Sequence, residues 1–138
     1  MSTDIRKVKV VLDTNIIISA LGFGGKPRQI LNLAIENKIQ AVSSPVLLAE
    51  FEDIVFKKFP ILAKNYKKIE RQLKEVFKIV KPEISITKLS DKADNRVLEA
   101  ALEGKCEFIV TGDQGLLELG SFRKTKIVTA TEFLNLIL

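Results

Sequence analysis

The sequence predicts a single α/β domain spanning residues 1–138, with a central parallel sheet flanked by helices in three layers. Three observations predict it. Short β-branched runs without polar alternation have the character of strands buried on both faces. The segments between them carry apolar residues at helical spacing. The two kinds alternate along the chain, as parallel strands joined by crossover helices do. No internal repeat, low-complexity tract or linker divides it.

The first strand runs from Val8 to Asp13 and breaks on a Thr14-Asn15 turn. Gly22-Phe23-Gly24-Gly25 is a loop. A helix from about Pro27 to Asn37 turns Ile30, Leu31, Leu33 and Ala34 inward, and Ile39 to Val42 forms a second strand. Ser44 caps the next helix, with Pro45 in the first turn, where its missing N–H costs nothing. That helix carries Leu47, Leu48, Phe51, Ile54 and Val55 and ends near Pro60. Lys64 to Val80 reads as one helix, with Tyr66, Ile69, Leu73, Val76, Phe77 and Val80 on its inner side. Ile84 to Ile86 reads as a short strand. A helix from about Lys92 to Glu103 stops at Gly104. Phe108 to Thr111 and Lys126 to Val128 are late strands, and Thr131 opens a terminal helix.

Composition narrows the chemistry. The 46% hydrophobic and 28% charged residues mark a globular chain, and no apolar run is long and clean enough to span a bilayer. The N-terminus, Met1 to Lys7, does not read as a signal peptide, because no uncharged apolar core follows it. The single Cys106 cannot form an internal disulfide, which suits a reducing cytoplasm. There is no histidine, which removes Ser-His-Asp and Cys-His machinery and any imidazole acid-base step. An enzyme of this composition works with carboxylates, lysines or a metal. The net charge of +5 permits an anionic partner without demanding one.

Aspartates stand at the ends of two apolar strands. Asp13 closes Val10-Val11-Leu12, and Asp113 follows Phe108-Ile109-Val110-Thr111-Gly112. Ligands of open parallel sheets bind beyond such ends, and a carboxylate buried there needs donors, a cation or a metal. Taken singly, Asp13 serves the Thr14-Asn15 turn and Asp113 caps the following helix; taken together, they indicate a site. Asp94 lies on the stripe of Val97, Leu98, Ala101 and Leu102, whereas Asn95, Arg96, Glu99 and Glu103 fall away from it. An Asp91 cap with Asp94 in the first turn explains an acid there. It does not explain an acid on the core side. Glu50 and Glu52 flank the apolar face of their helix at similar angles, and geometry alone does not choose between them.

The segment Val10-Val11-Leu12-Asp13-Thr14-Asn15 resembles the opening motif of PIN-domain nucleases. Ser44-Pro45-Val46-Leu47-Leu48-Ala49-Glu50-Phe51 resembles the second motif of that family, the segment from Asp91 to Ala101 the third, and Phe108 to Asp113 the fourth. The resemblance covers nearly the whole chain, in order. It implies a compact α/β fold and metal-dependent cleavage of RNA. It assigns catalytic, metal-ligand roles to Asp13, Glu50, Asp94 and Asp113, with Asn15, Thr14 and Thr111 in support. It also implies a toxin held by an antitoxin protein, and a homodimer. Relatives often carry a further aspartate two residues after the fourth-motif acid; Gly115 stands at that position.

Converging carboxylates cannot all ionise cheaply, and a divalent cation relieves the repulsion. Hard oxygen ligands without Cys or His suit Mg²⁺ or Mn²⁺. For the substrate, Lys26 and Arg28 beside the glycine loop are the expected phosphate contacts. The lysines of the middle helices read mainly as a solvated face with partners such as Glu70 and Glu75. Two other classes stay open. One is a non-catalytic RNA- or protein-binding module on the same fold. The other is a magnesium-dependent phosphatase, for which Asp4 is too far upstream and no Asp-x-Asp occurs at Asp13.

Overall fold

Strands β1 (Lys9–Leu12), β2 (Gln40–Ser43), β3 (Lys78–Ile79), β4 (Phe108–Val110), β5 (Ser121–Phe122) and β6 (Thr125–Val128) form one sheet in the order β3-β2-β1-β4-β6-β5. All pairs are parallel except β5 with β6, a short antiparallel edge added to the expected parallel sheet. The computed structural model describes residues 7–138, so the N-terminal segment read for a leader, and Asp4 within it, lie outside the described residues.

The alternation of side chains along the strands divides the core in two. Val10, Leu12 and Val110 face one helical layer with Phe51, Val55, Leu73 and Phe133. Val11, Val42 and Ile109 face the other with Val97, Leu98, Ala101 and Leu116. These are the two interfaces of a three-layer domain. The first layer comprises α1 (Thr14–Gly22), α2 (Gly25–Ile35), α3 (Pro45–Lys58), α5 (Tyr66–Val76) and α8 (Ala130–Ile137), with α4 (Pro60–Lys64) joining α3 to α5. The second comprises α6 (Lys92–Glu103) and α7 (Gln114–Leu119). Of the apolar tail, Phe133 and Leu134 pack into the core, while Leu136 and Leu138 stay exposed. No helix among the described residues is long and apolar enough to cross a membrane.

Several elements differ from the sequence reading. Helix α1 fills residues 16–21, which the sequence reading assigns to no element, and Ile16-Ile17-Ile18 has strand-like composition. Burial of all three isoleucines on the core overrides their local preference. Lys64 to Val80 is three elements rather than one helix. It breaks at Asn65, and after the last helical turn closes with Phe77 N–H on the Leu73 carbonyl, Lys78 and Ile79 pair with Val42 and Ser43. Ile84 to Ile86 is not a strand; its backbone is held by α6 side chains instead.

That hold corrects the reading of α6. Asn95 and Glu99 are buried, although the helical wheel turns them away from the core. The segment between β3 and α6 wraps over this helix as a strap. Glu99 accepts from Ile86 N–H at 2.8 Å, and Asn95 grips Leu89 with both ends of its amide, each at 2.8 Å. Arg96 donates to the Ile86 carbonyl at 3.1 Å and to Glu99 at 2.6 Å. Helix α6 thus has two covered faces, the sheet on one side and the strap on another. The strap leads directly into Asp91, the N-cap of α6.

Candidate functional site

Strands β1 and β4 are neighbours, yet β1 continues to β2 on one side while β4 continues to β6 on the other. Between them lies the topological switch point, where sheets of this type open a crevice at their C-terminal edge. Asp13 and Asp113 follow these two strands. Asp13 is the N-cap of α1, and its Oδ1 accepts from Thr14 N–H at 2.8 Å. Its Oδ2 accepts from the Thr111 hydroxyl at 2.7 Å. The Thr111 oxygen accepts in turn from Asp113 N–H at 2.9 Å, and Asp113 Oδ2 caps α7 by accepting from Leu116 N–H at 3.0 Å. One buried hydroxyl thereby couples the ends of both strands. Each aspartate caps a helix, and the two stand at a shared sheet edge.

Asp94 enters from the first turn of α6 and is only 8% exposed. Burial, together with a hydrogen bond to the Asp113 carboxyl and its charge, pushes Asp94 up to about 7. Asp91 and Asp13 add to the effect. Asp13 is also raised, chiefly by burial, against the opposing hydrogen bonds from Thr111 and Thr14. Gly115 leaves the room for this approach. A Cβ on it would stand 3.3 Å from Asp113 Oδ2 and 3.3 Å from Asp94 Oδ2, crowding both. The position where relatives often place an acid is in this chain the space between two.

The choice between Glu50 and Glu52 is made by packing. Glu50 hydrogen-bonds the Thr14 side chain, and burial with the charges of Asp13 and Asp91 raises its pKa. Glu52 is exposed and lies instead beside the Tyr66 hydroxyl. The structure therefore brings Asp13, Thr14, Glu50, Asp94, Thr111 and Asp113 together. Asn15 is exposed in the first turn of α1, and its side chain makes no hydrogen bond among the described residues; Thr14 makes the link to Glu50. Lys26 donates to Thr131 Oγ1 at 3.0 Å, tying α2 to α8. Arg28 lines a groove with Leu31, Ile69 and Val76. Every charge acting on Asp13, Glu50 and Asp94 named above is a carboxylate.

The sequence reading gives Asp91 only a capping role, yet its charge acts on Asp13, Glu50 and Asp94. Its spacing of three residues from Asp94 was the available signal, since such pairs lie on one helix face. The donor set, all hard carboxylate oxygen, fits Mg²⁺ or Mn²⁺. Among the described residues no three of these acids close on one point. Both Asp13 oxygens and Asp113 Oδ2 are engaged by protein donors, and Asp94 is held by Asp113.

The family profile described as PIN domain matches residues 9–115. The chain belongs to the PIN domain family. Proteins with this domain are in general nucleases. The chain is 33% identical to an uncharacterized protein of Methanocaldococcus jannaschii, over 94% of this chain and 91% of that one. In fold it is similar to the crystal structure of VapBC2 from Rickettsia felis bound to a DNA fragment from their promoter. The TM-score is 0.60 at 16% identity, covering 87% of this chain and 97% of that chain.

The role of Thr111 is testable directly. Thr111→Val removes the hydroxyl that donates to Asp13 and accepts from Asp113 N–H. Leaving these buried groups short of a partner costs about 1–3 kcal/mol of stability. If Asp13 holds a metal ion, loss of this outer partner should also lower metal affinity by about 10–100-fold. Chemical denaturation and manganese titration measure the two separately, and a variant with unchanged metal affinity would remove Thr111 from the site.

Proposed function

We propose that this PIN domain is a metal-dependent endoribonuclease that hydrolyses phosphodiester bonds of single-stranded RNA, with Asp13, Glu50, Asp94 and Asp113 as catalytic metal ligands. The observation that carries this reading is the gathering of Asp13, Glu50, Asp94 and Asp113, all buried or half-buried, around the β1–β4 switch point, with Asp94 pushed up to about 7 by burial and Asp113. Acids gathered in this way need a proton or a cation to offset their repulsion, and no basic side chain is offered to them by the interactions described above. When bound, Mg²⁺ or Mn²⁺ supplies an activated water and neutralises charge on the phosphate. Thr111 and the Thr14 N–H orient Asp13, Thr14 orients Glu50, and the caps of α6 and α7 fix the approach of Asp94 and Asp113. Asn15 is exposed in the first turn of α1, next to Thr14, and is assigned a supporting role there.

The same reading makes the chain the toxin of a toxin–antitoxin pair, acting in the cytoplasm as a homodimer and held by an antitoxin protein. The fold likeness to VapBC2 supports the antitoxin partner. Lys26 and Arg28 are assigned to phosphate contact. Removing both charges should lower the slope of RNA affinity against salt by roughly 1.4, at about 0.7 for each phosphate contact on a single strand. An unchanged slope would take them out of the substrate path.

The deciding experiment uses the purified chain and a 5′-labelled, unstructured RNA. Cleavage is expected with Mn²⁺ and Mg²⁺ and is expected to stop with EDTA. DNA of the same sequence and an aryl phosphate ester should turn over far more slowly. Absence of RNA cleavage with every divalent ion, alongside retained RNA binding, would replace this reading with the non-catalytic binding module.

A further inference from the structure

Helix α3 carries Glu50 in its second turn, near Asp13, and Lys57 seven residues later on the same face, about 10 Å along the axis. Beyond it the chain turns through α4 into α5, and a recess of about 430 Å³ opens at that corner. Phe56, Lys64, Tyr66, Lys67, Lys68 and Arg71 line it. Lys67, Lys68 and Arg71 stand on the exposed side of α5, opposite the stripe of Tyr66, Ile69, Leu73 and Val76 that packs on the core.

Two features separate this face from an ordinary solvated one. Lys57 pairs with Asp53 and Lys74 with Glu70, but among the described residues Lys58, Lys64, Lys67, Lys68 and Arg71 have no carboxylate partner. Glu52 and Glu70 act on the Tyr66 hydroxyl, and among the described residues neither pairs with the lysines or the arginine of the recess. In addition, Phe56 is 56% exposed and leans on Tyr66, ring centroids 5.2 Å apart at 56°. An exposed ring braced by a buried one, amid unpaired cations, is the composition that takes successive bases by stacking and the backbone by charge.

We propose that the α3–α5 corner is a binding site for single-stranded RNA, with Phe56 as the stacking platform and Lys64, Lys67, Lys68 and Arg71 as phosphate contacts. It rests on the nuclease reading for its direction: α3 carries Glu50 near its start and Phe56 near its end, about 9 Å further along the axis and on a different face, so a strand that leaves the acid cluster and crosses this helix obliquely reaches the recess. A protein partner would have to be acidic, and nothing about an acidic peptide calls for the exposed ring.

The test measures binding apart from cleavage. The full chain carrying Asp13→Asn is titrated into a fluorescein-labelled, unstructured 12-nucleotide RNA, and anisotropy is followed at several salt concentrations. Adding Lys67→Ala, Lys68→Ala and Arg71→Ala should weaken binding about tenfold or more and lower the salt slope by roughly 2, at about 0.7 per lost contact. Phe56→Ala should weaken it roughly fivefold or more with the slope unchanged, and Phe56→Trp should restore it. The control triple Lys105→Ala, Arg123→Ala, Lys124→Ala, on a different surface, should change neither by as much. The proposal is overturned if the α5 triple behaves like the control. It is also overturned if Phe56→Ala and Phe56→Trp bind alike, or if polyglutamate binds the recess and RNA does not. Cleavage assays on the Asp13 wild-type background separate the two claims. RNA that binds the recess but is never cut removes the nuclease reading and leaves this site standing, whereas cutting that ignores the α5 triple does the reverse.

Discussion

Asp13→Asn should abolish manganese-dependent RNA cleavage, by about 10³-fold or more if Asp13 contributes the several kcal/mol expected of a metal-centred interaction. The fold should survive. The Asn carbonyl can still accept from Thr14 N–H and cap α1, as Asp13 Oδ1 does. The amide NH₂ then faces the Thr111 hydroxyl, whose oxygen already accepts from Asp113 N–H and has a second lone pair free. The local cost is that of one rearranged hydrogen bond, about 1 kcal/mol. The comparison is therefore clean: a large loss of rate against a small change in melting temperature. Cleavage by the purified variant within tenfold of the parent would falsify the assignment of Asp13. A parallel collapse of the fold would be read from circular dichroism before any kinetic conclusion is drawn.

Where the sequence was legible, the reason is that one residue faced one neighbour. Val10-Val11-Leu12 and Phe108-Ile109-Val110 are buried on both faces, and buried parallel strands leave an unmistakable apolar run. Ser44 with Pro45 is a helix start written in adjacent residues, and its cap forms; the terminal helix starts earlier than the Thr131 of the sequence reading, because Thr129 and Glu132 close a capping box across three residues. Asp94 was legible because the sheet is the principal surface that α6 covers. Asn95 and Glu99 were not, because the second surface on α6 is an irregular strap from residues that leave no periodic signal. A helical wheel registers one burial direction, and α6 has two. Helix α1 was hidden for the opposite reason: burial made it apolar nearly all round, which erases the periodicity that distinguishes helix from strand. Glu50 and Glu52 sit at mirror angles on α3, so their separation depended on knowing that Thr14, at the start of α1, packs on one side and Tyr66 on the other. Local sequence thus reported the strand ends and the helix caps, and tertiary contact decided which acids meet.

Asp94→Asn should eliminate cleavage and at the same time stabilise the cation-free protein. Burial and the adjacent Asp113 carboxylate push Asp94 up to about 7, far above its ordinary 3.8. A carboxyl whose folded pKa is raised holds its proton more tightly in the folded chain than in the unfolded one. Its contribution therefore favours folding at low pH and is lost as pH climbs from about 4 to about 7. In EDTA the wild type should melt higher at pH 5.5 than at pH 8, with the raised Asp13 and Glu50 acting in the same direction. Asparagine keeps the shape, cannot ionise, and can donate to Asp113. At pH 8 it should stabilise by about 1–2 kcal/mol, in the range of other relieved functional strains. The advantage should shrink toward pH 5, where Asp94 is protonated in the wild type. Saturating Mn²⁺ should reverse the order, because a ligand that binds only the folded state adds about 2.7 kcal/mol at a hundredfold excess over its Kd, and the variant binds it less well. Thermal melts at two pH values, with and without Mn²⁺, read all four states. A variant less stable than wild type at pH 8 in EDTA would show that Asp94 serves α6 as a first-turn acid, favoured by the helix dipole, rather than as a charge kept under repulsion for a cation.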